Sequence, residues 1–263
     1  MKNSSNKLIP ASTVLIVRDG KNDLEVFMVV RHHEIDFASG ALVFPGGKVD
    51  QEDLNIQINQ FINKEKKISD EEMGFRIAGI RECYEEAGVL FANSSENSMR
   101  ITKNRLSQLE VWRDRFNNKE SSMYDFASQE NLTFTVDDLI PYAHWITPDM
   151  MPKRFDTRFY IAEAPDGHKG LHDGGESVDS IWISPKRAIE DCNANKRTII
   201  FPTRMNLEKL SKFDNVEDAI TSLRKEEIVT VEPKIEKNDD GVFLTIPENA
   251  GYGKIREPIE NLK

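Results

Sequence analysis

The sequence contains little cysteine and no long apolar run. Its 263 residues include two cysteines, Cys83 and Cys192, which are too few for a disulfide framework. No stretch of about 18 apolar residues occurs, so a membrane-spanning helix is not expected. The apolar stretch near the N-terminus starts late and ends in charged residues, which is typical of a first strand and not of a secretion signal. A cytoplasmic protein with no membrane partner is therefore expected.

An excess of basic charge is also missing. Asp and Glu total 45 against 35 Lys and Arg, which gives a net charge of −10. Proteins that grip nucleic acid usually present a basic surface, so nucleic acid is not expected as a partner. A small phosphate-bearing substrate remains compatible with this charge if a metal ion supplies positive charge locally.

The order of predicted elements indicates an α+β fold in one domain over residues 1–263. Residues 12–18 and 24–30 are β-rich runs around the turn GKND, which predicts a hairpin. Further strands are predicted at 41–47, 139–147, 157–163, 178–183, 228–233 and 241–246, the last two around the turn NDDG. Helices are predicted at 53–67, from a cap at Asp70 to Ala87, within 101–131, after Ser184, and at 206–213 and 216–224.

Three glutamates share one face of the helix predicted after Asp70. Glu82, Glu85 and Glu86 are spaced i, i+3 and i+4, so they fall within about a quarter turn. Clustered carboxylates repel one another unless a cation joins them, and Mg²⁺ prefers oxygen ligands. Arg81 can pair with Glu85 one turn on. An acidic triplet alone is usually a solvated helix face, but the FPGG turn at 44–47 and the order Arg-Glu-x-x-Glu-Glu-x-Gly favour a metal site.

The segment Arg81–Val89 resembles the second half of the signature of the Nudix hydrolases, R-E-U-x-E-E-x-G-U, where U is aliphatic. Cys83 stands at an aliphatic position, and Gly47 matches the first glycine of the signature. Asp53 replaces the next family glutamate, and 27 residues separate it from Arg81 where the family has seven. The signature is therefore split by 20 extra residues, which leaves the role of Asp53 open.

The resemblance implies an α/β/α sandwich with a mixed sheet. Relative to that family, the chain is expected to carry an insertion at about 54–73, a helical insertion at about 100–131 and a C-terminal extension at about 205–263. The implied reaction is hydrolysis of a phosphoanhydride bond in a nucleoside diphosphate linked to another moiety. The implied cofactor is Mg²⁺ or Mn²⁺, bound by Glu82, Glu85, Glu86 and the carbonyl of Gly46.

The catalytic residues expected with this metal site are Glu86, Glu176 and Arg81. Glu86 or a later glutamate would take the proton of the attacking water. Among later glutamates, Glu176 lies in the glycine-bearing loop HDGGES, whereas Glu163 alternates with apolar neighbours like an outward strand residue. Glu176 is therefore favoured over Glu163, although an acidic turn residue is an equal alternative.

Two further motifs narrow the substrate. Residues 27–47 resemble coenzyme A diphosphatases of the superfamily, with Arg31, Gly40 and FPGG in register and Asp36 in place of a second arginine. WITP at 145–148 and RFDT at 154–157 resemble the branch of peroxisomal acyl-CoA diphosphatases. The substrate expected is CoA or acyl-CoA, with candidate binding residues Arg31, Gly40, Gly47, Arg154 and Phe155.

Other readings of the same residues remain open. The substrate could instead be ADP-ribose, NADH or a dinucleoside polyphosphate, and a lesser alternative is a Nudix fold that binds a ligand without catalysis. Arg158 could contact phosphate or form a surface ion pair. The helices within 101–131 or the tail at 228–263 could serve homodimer formation.

Overall fold

The computed structural model describes residues 7–31, 40–64, 67–168, 170 and 177–259. Its centre is a mixed sheet of eight strands in which β1 lies between β8 and β2. The strand order is β10-β7-β8-β1-β2-β3, with β4 also paired to β1 and β9 to β2. The strands of this sheet, together with the separate pair β5 and β6, are β1 (Leu8–Asp19), β2 (Leu24–Arg31), β3 (Leu42–Val43), β4 (Gly46–Lys48), β5 (Ala92–Ser94), β6 (Leu132–Phe134), β7 (Ile140–Ile146), β8 (Arg154–Glu163), β9 (Ser177–Ile183) and β10 (Thr230–Val231).

Seven α-helices of the described residues cover the two faces of this sheet. They are α1 (Asp70–Ala87), α2 (Lys103–Leu109), α3 (Val111–Asn117), α4 (Met123–Glu130), α5 (Pro185–Asn193), α6 (Phe201–Leu210) and α7 (Val216–Leu223). Side chains alternate along β1, because successive residues of a strand point to opposite faces. Val14 and Ile16 join the core with α1 to α4, whereas Leu15 and Val17 join the core with α5 to α7. The result is the α+β sandwich that the sequence predicts.

The predicted hairpins are present. The turn GKND joins β1 and β2, with Asp19 opposite Leu24. The turn NDDG joins two strands of a small antiparallel sheet, β11 (Lys234–Asn238), β12 (Gly241–Thr245) and β13 (Arg256–Pro258). The strand β13 was not predicted, because GYGKIREP shows no apolar alternation.

The helix predicted at 53–67 is wrong in type. The chain forms two short 3-10 helices there, Gln51–Leu54 and Ile56–Phe61. Asn55 separates them, since its side chain accepts a hydrogen bond from the backbone N–H of Gln57 and so caps a new helical turn. Asn often competes with a continuous helix in this way.

The long helix α1 follows the sequence closely. Its predicted apolar stripe is buried and consists of Met73, Ile77, Ile80, Tyr84 and Ala87. Its N-cap is Ser69, one residue before the predicted Asp70, because the Ser69 hydroxyl accepts from the N–H of Glu72. Gly88 ends the helix in the left-handed conformation, with φ of 62°, which glycine adopts without strain.

Within the described ranges, none of the helices is both long enough and apolar enough to cross a lipid bilayer.

Candidate active site

The turn at β4 and the last turns of α1 form one site. The N–H of Gly46 donates to Oε2 of Glu86 at 2.9 Å. Gly47 faces Glu82 so closely that a Cβ atom at this position would overlap the Glu82 carboxylate. At Gly46 a Cβ atom would lie 2.5 Å from the backbone carbonyl oxygen of Ser12, so a glycine is required at this position of β4. The FPGG turn and the acidic helix therefore lie in contact, although 35 residues separate Gly47 from Glu82 in the sequence.

Arg81 lies at the centre of this site. One of its terminal nitrogens, Nη1, donates to Oε1 of Glu82 at 2.9 Å and forms an ion pair with Oε2 of Glu85 at 3.1 Å. Its other terminal nitrogen donates to the carbonyl of Lys48 at 2.9 Å. The ion pair with Glu85 is the one predicted from helical spacing.

The structure brings Asp53 back to Arg81 across the 20 extra residues. Nε of Arg81 donates to Oδ1 of Asp53 at 3.0 Å, and Nη2 donates to Oδ2 at 2.9 Å. Asp53 is 2% exposed and lies within the first 3-10 helix. Asp53 and Arg81 thus form a bidentate ion pair although 27 residues separate them in the sequence.

Negative charge exceeds positive charge in this site. Three carboxylates, those of Asp53, Glu82 and Glu85, contact the guanidinium of Arg81, and Glu86 of the same helix accepts from the Gly46 N–H. Burial raises the pKa of Glu82 to about 8; Arg81 opposes this rise, and the Glu85 and Asp53 carboxylates add to it. Burial likewise raises the pKa of Asp53 and Glu85 against the opposing effect of Arg81. The site is therefore short of positive charge.

A hard divalent cation suits this set of donors. Carboxylate oxygens are the ligands that Mg²⁺ and Mn²⁺ prefer, and the cation would supply the missing charge. In the described part of the chain, however, no three His, Cys, Asp or Glu side chains are placed to hold a metal ion together. The Arg81 guanidinium occupies oxygens of Glu82 and Glu85. The residues fit a metal by charge and atom type, and binding requires these side chains to turn away from Arg81.

The remaining predicted residues fall into three places. Arg31 and Gly40 close a loop, since the Gly40 N–H donates to the Arg31 carbonyl at 3.2 Å and the Arg31 N–H donates to that of Ala41. Glu176 lies outside the described residues. Glu163 is exposed at the end of β8, as expected for an outward strand residue.

Arg154 and Phe155 are not brought to the carboxylates. They start β8 beside Leu8 and Ile9 of β1, whereas Gly47 is opposite Ser12. Ser12 lies four residues beyond the partner of Arg154 and three beyond the partner of Phe155, or about 10 to 13 Å along the strand. Arg154 donates to the carbonyl of Thr147 at 2.9 Å and to Glu232 at 2.6 Å. These contacts hold the start of β8 to two other segments, and a substrate role for Arg154 stays a prediction.

Of the two interpretations of Arg158, a phosphate contact and an ion pair, the structure shows ion pairs. Its guanidinium contacts the carboxylates of Glu71 and Glu72 in the first turn of α1.

Two buried residues that contact the end of α1 or the segment after it belong to no sequence motif. Arg113 of α3 donates two hydrogen bonds to the backbone carbonyl of Glu85. His168 follows β8 and is 6% exposed; its Nδ1 accepts from the N–H of Leu90 at 3.3 Å, and its Nε2 contacts the carbonyl of Ile101 at 3.1 Å. A lone arginine or histidine distant in sequence from its partner carries no periodic pattern, so neither was predicted.

The contacts of His168 predict a loss of stability in acid. Nδ1 must be unprotonated to accept from Leu90, and burial lowers the pKa of His168 below its usual value. As the pH falls, His168 is protonated at a higher pH in the unfolded chain than in the folded one. The contribution of neutral His168 to the free energy of unfolding is therefore complete above about pH 6.5 and is lost as the pH falls from 6.5 towards the lower folded-state pKa. The free energy of unfolding in urea should therefore decrease between pH 7.5 and pH 5.

The matched variant is His168→Gln, whose amide oxygen can accept from Leu90 while its NH₂ donates to Ile101. The free energy of unfolding of this variant should change less with pH than that of the wild type. The other four histidines are present in both proteins, so the difference between the two slopes reports His168 alone. Equal slopes for the two proteins would contradict the assignment.

Comparison with solved structures identifies the class of fold. A NUDIX hydrolase from Alicyclobacillus acidocaldarius superposes with a TM-score of 0.71 at 24% sequence identity, covering 85% of this chain and 100% of that one. The chain has the Nudix fold.

The sequence comparison then gives the family. The family described as the NUDT19 Nudix domain matches residues 60–210, more than half of the chain, and this protein belongs to it. The Acyl-coenzyme A diphosphatase NUDT19 of Xenopus laevis is 23% identical over 278 residues, covering 89% of this chain and 73% of the relative. A nudix hydrolase of Caenorhabditis elegans is 30% identical over 201 residues, covering 76% of this chain and 60% of the relative. The chain thus spans about 60% to 73% of the length of these two curated relatives.

Proposed function

We propose that this protein is a divalent-metal-dependent pyrophosphohydrolase that cleaves the phosphoanhydride bond of CoA or acyl-CoA. The observation that carries the proposal is the cluster of Asp53, Glu82 and Glu85 around Arg81, with Glu86 held by the Gly46 N–H and Gly47 packed against Glu82. The predicted products are adenosine 3′,5′-bisphosphate and a phosphopantetheine.

The residues of the site have distinct roles in this proposal. Glu82, Glu85, Glu86 and the Gly46 carbonyl would hold Mg²⁺ or Mn²⁺, which supplies positive charge to the two phosphates and makes water more acidic. Glu86 or Glu176 would accept the proton from the attacking water. Arg81, held in place by Asp53, would orient the carboxylates of Glu82 and Glu85 through its ion pairs with them.

Support for the CoA moiety comes from outside the carboxylates. The Xenopus relative is named an acyl-coenzyme A diphosphatase, and a human relative of the same name is 25% identical over 203 residues, covering 73% of this chain and 54% of the relative. Arg31, Gly40 and Gly47 stand in the register of the CoA diphosphatase motif. We include Arg31 as a contact for the CoA phosphates, because a guanidinium binds phosphate in a bidentate manner, and Arg154 and Phe155 as further substrate candidates.

A substrate panel tests the proposal. Purified protein with Mg²⁺ is incubated with CoA, an acyl-CoA, ADP-ribose, NADH and a dinucleoside polyphosphate, and the products are identified by mass spectrometry. Hydrolysis of CoA or acyl-CoA to adenosine 3′,5′-bisphosphate is the expected result. Turnover of ADP-ribose alone would overturn the CoA assignment, and no turnover of any compound would favour a ligand-binding module without catalysis.

The metal assignment predicts the behaviour of Glu85→Gln. This change removes one negative charge while it keeps the size of the side chain, so we expect the dissociation constant for Mn²⁺ to rise by about tenfold or more, which corresponds to about 1.4 kcal/mol. Mn²⁺ titration followed by electron paramagnetic resonance measures this directly, without substrate.

Glu71→Gln is the matched control, since Glu71 lies on the same helix and is exposed at its start. Its Mn²⁺ affinity should equal that of the wild type. Undiminished Mn²⁺ binding by Glu85→Gln would remove Glu85 from the metal site.

The proposal also covers the cellular location, the domain organisation and the assembly of the protein. The two cysteines are unpaired and buried, which supports a cytoplasmic location with reduced thiols. We propose a single domain over residues 1–263 with the insertions and the C-terminal extension described above. A homodimer is the proposed assembly, and size-exclusion chromatography with light scattering tests it.

A further inference from the structure

The last turn of α1 needs a partner for one backbone carbonyl. The final carbonyls of a helix have no N–H donor within the helix. Here the N–H of Gly88 donates to the carbonyl of Tyr84 at 3.0 Å, and the N–H of Val89 donates to that of Cys83 at 3.1 Å. If the helix continued, the N–H of Val89 would donate to the carbonyl of Glu85. Because this N–H is bonded to Cys83 instead, the Glu85 carbonyl needs a donor from outside the helix.

Arg113 of α3 supplies that donor. Its Nε and Nη2 both donate to the Glu85 carbonyl, at 3.1 and 2.9 Å, while its Nη1 donates to Oε1 of Glu110 at 2.7 Å. Arg113 is 7% exposed. A buried cation at the carboxyl end of a helix is favoured by the helix dipole.

The helices α2 to α4 hold the same turn by packing. The hydroxyl of Tyr84 donates to the carbonyl of Leu109 at 2.6 Å, and the Tyr84 ring stacks on Phe126 with centroids 5.2 Å apart. Gly88 passes close to Arg113, since a Cβ atom there would lie 3.2 Å from Nη1. The helices α2 to α4 therefore pack against the end of α1 that carries Glu85 and Glu86.

We propose that Arg113 is a positioning residue for the carboxylates of the metal site, and that the helical insertion exists in part to present it. The inference rests on the proposed function, because it requires Glu85 and Glu86 to bind a metal. Without Arg113 the half-buried Glu85 carbonyl loses both of these hydrogen bonds, so we expect the last turn of α1 to loosen and the two carboxylates to lose their fixed spacing.

Substitution of Arg113 tests the proposal with Mn²⁺ as the probe. Arg113→Met fills similar space and donates no hydrogen bond, and we expect its dissociation constant for Mn²⁺ to rise by about 10 to 100-fold, as for other residues that orient metal ligands. Arg113→Lys keeps the charge but not the two-pronged contact, and it should fall between Arg113→Met and the wild type. Amide hydrogen exchange in residues 85–90 should be faster in both variants.

Arg115→Met is the matched control on the same helix. The Arg115 guanidinium lies over the Trp112 ring at 4.6 Å, so its loss perturbs the insertion and not the Glu85 carbonyl. A merely structural role for Arg113 predicts a lower Tm for both methionine variants with unchanged Mn²⁺ affinity, and that result would overturn the positioning role. If Arg113→Met does not fold, wild-type Mn²⁺ affinity in Arg113→Lys would overturn it equally.

The outcome separates this inference from the proposed function. CoA hydrolysis by the wild type, together with wild-type Mn²⁺ affinity in Arg113→Met, retains the function and rejects the positioning role. Mn²⁺ binding that depends on Arg113 in a protein that does not hydrolyse CoA retains the positioning role and rejects the substrate. A wild type that binds no Mn²⁺ rejects both.

Discussion

Glu86→Gln is expected to lower kcat for CoA hydrolysis by about 10²- to 10⁴-fold, the range associated with loss of a general acid or base. The fold should be unaffected, because the glutamine amide oxygen can still accept the hydrogen bond that the Gly46 N–H now donates to Oε2 of Glu86. The substitution removes only the negative charge and the ability to take a proton. Steady-state kinetics with Mg²⁺ and a thermal melt measure the two effects separately.

The control for this prediction is Glu163→Gln, the same chemical change at an exposed position at the end of β8. It should leave kcat within about twofold, the variation expected of a surface substitution away from the site. Mn²⁺ titration of Glu86→Gln then divides the two roles proposed for Glu86. Wild-type Mn²⁺ affinity with low kcat indicates the proton acceptor, and a loss of both indicates a metal ligand. Full activity in Glu86→Gln would exclude Glu86 from the chemistry.

Asp53→Ala is expected to have the largest effect on stability. It leaves the buried Arg81 guanidinium without its bidentate partner, and breaking a buried ion pair costs about 3 to 5 kcal/mol. Glu82 and Glu85 remain beside Arg81, so the lower end, about 3 kcal/mol, is expected. The corresponding fall in Tm is roughly 6 to 12 °C for a chain of this size.

Asp239→Ala provides the matched comparison, because Asp239 lies in the exposed turn between β11 and β12. Its free energy of unfolding should stay within about 0.5 kcal/mol of the wild type. Chemical denaturation followed by circular dichroism gives both values. A change in Asp53→Ala no larger than in Asp239→Ala would mean that the pair with Arg81 contributes nothing to stability.

Local sequence patterns predicted the parts of the fold that depend on local periodicity. The stripe from Met73 to Ala87 and the left-handed stop at Gly88 follow from helical spacing and glycine's conformational freedom. The strands β1 and β2 follow from alternation around a strong turn. The stretch at 53–67 failed because Asn55 caps its own turn, and that side-chain hydrogen bond outweighs the apolar spacing.

The candidate site was predicted less completely, because several of its contacts join residues far apart in sequence. Glu82, Glu85 and Glu86 are adjacent on one helix and were found by spacing. The partner of Arg81 is Asp53, on the far side of a long connection, and the partner of the Glu85 carbonyl is Arg113, on another helix. Tertiary packing determines both contacts, and no periodicity within a short window reports them.

The pair of Asp53 and Arg81 also makes the length of the intervening chain nearly immaterial to the site. The two residues close the connection at its base, and the entropic cost of a longer loop rises only by about 0.6 kcal/mol for each doubling of its length. Insertions between them can therefore accumulate during evolution while the geometry around the carboxylates is preserved. A sequence signature with fixed intervals therefore describes only those relatives in which this connection is short. A relative with a longer connection is recognised by the contacts between the same side chains.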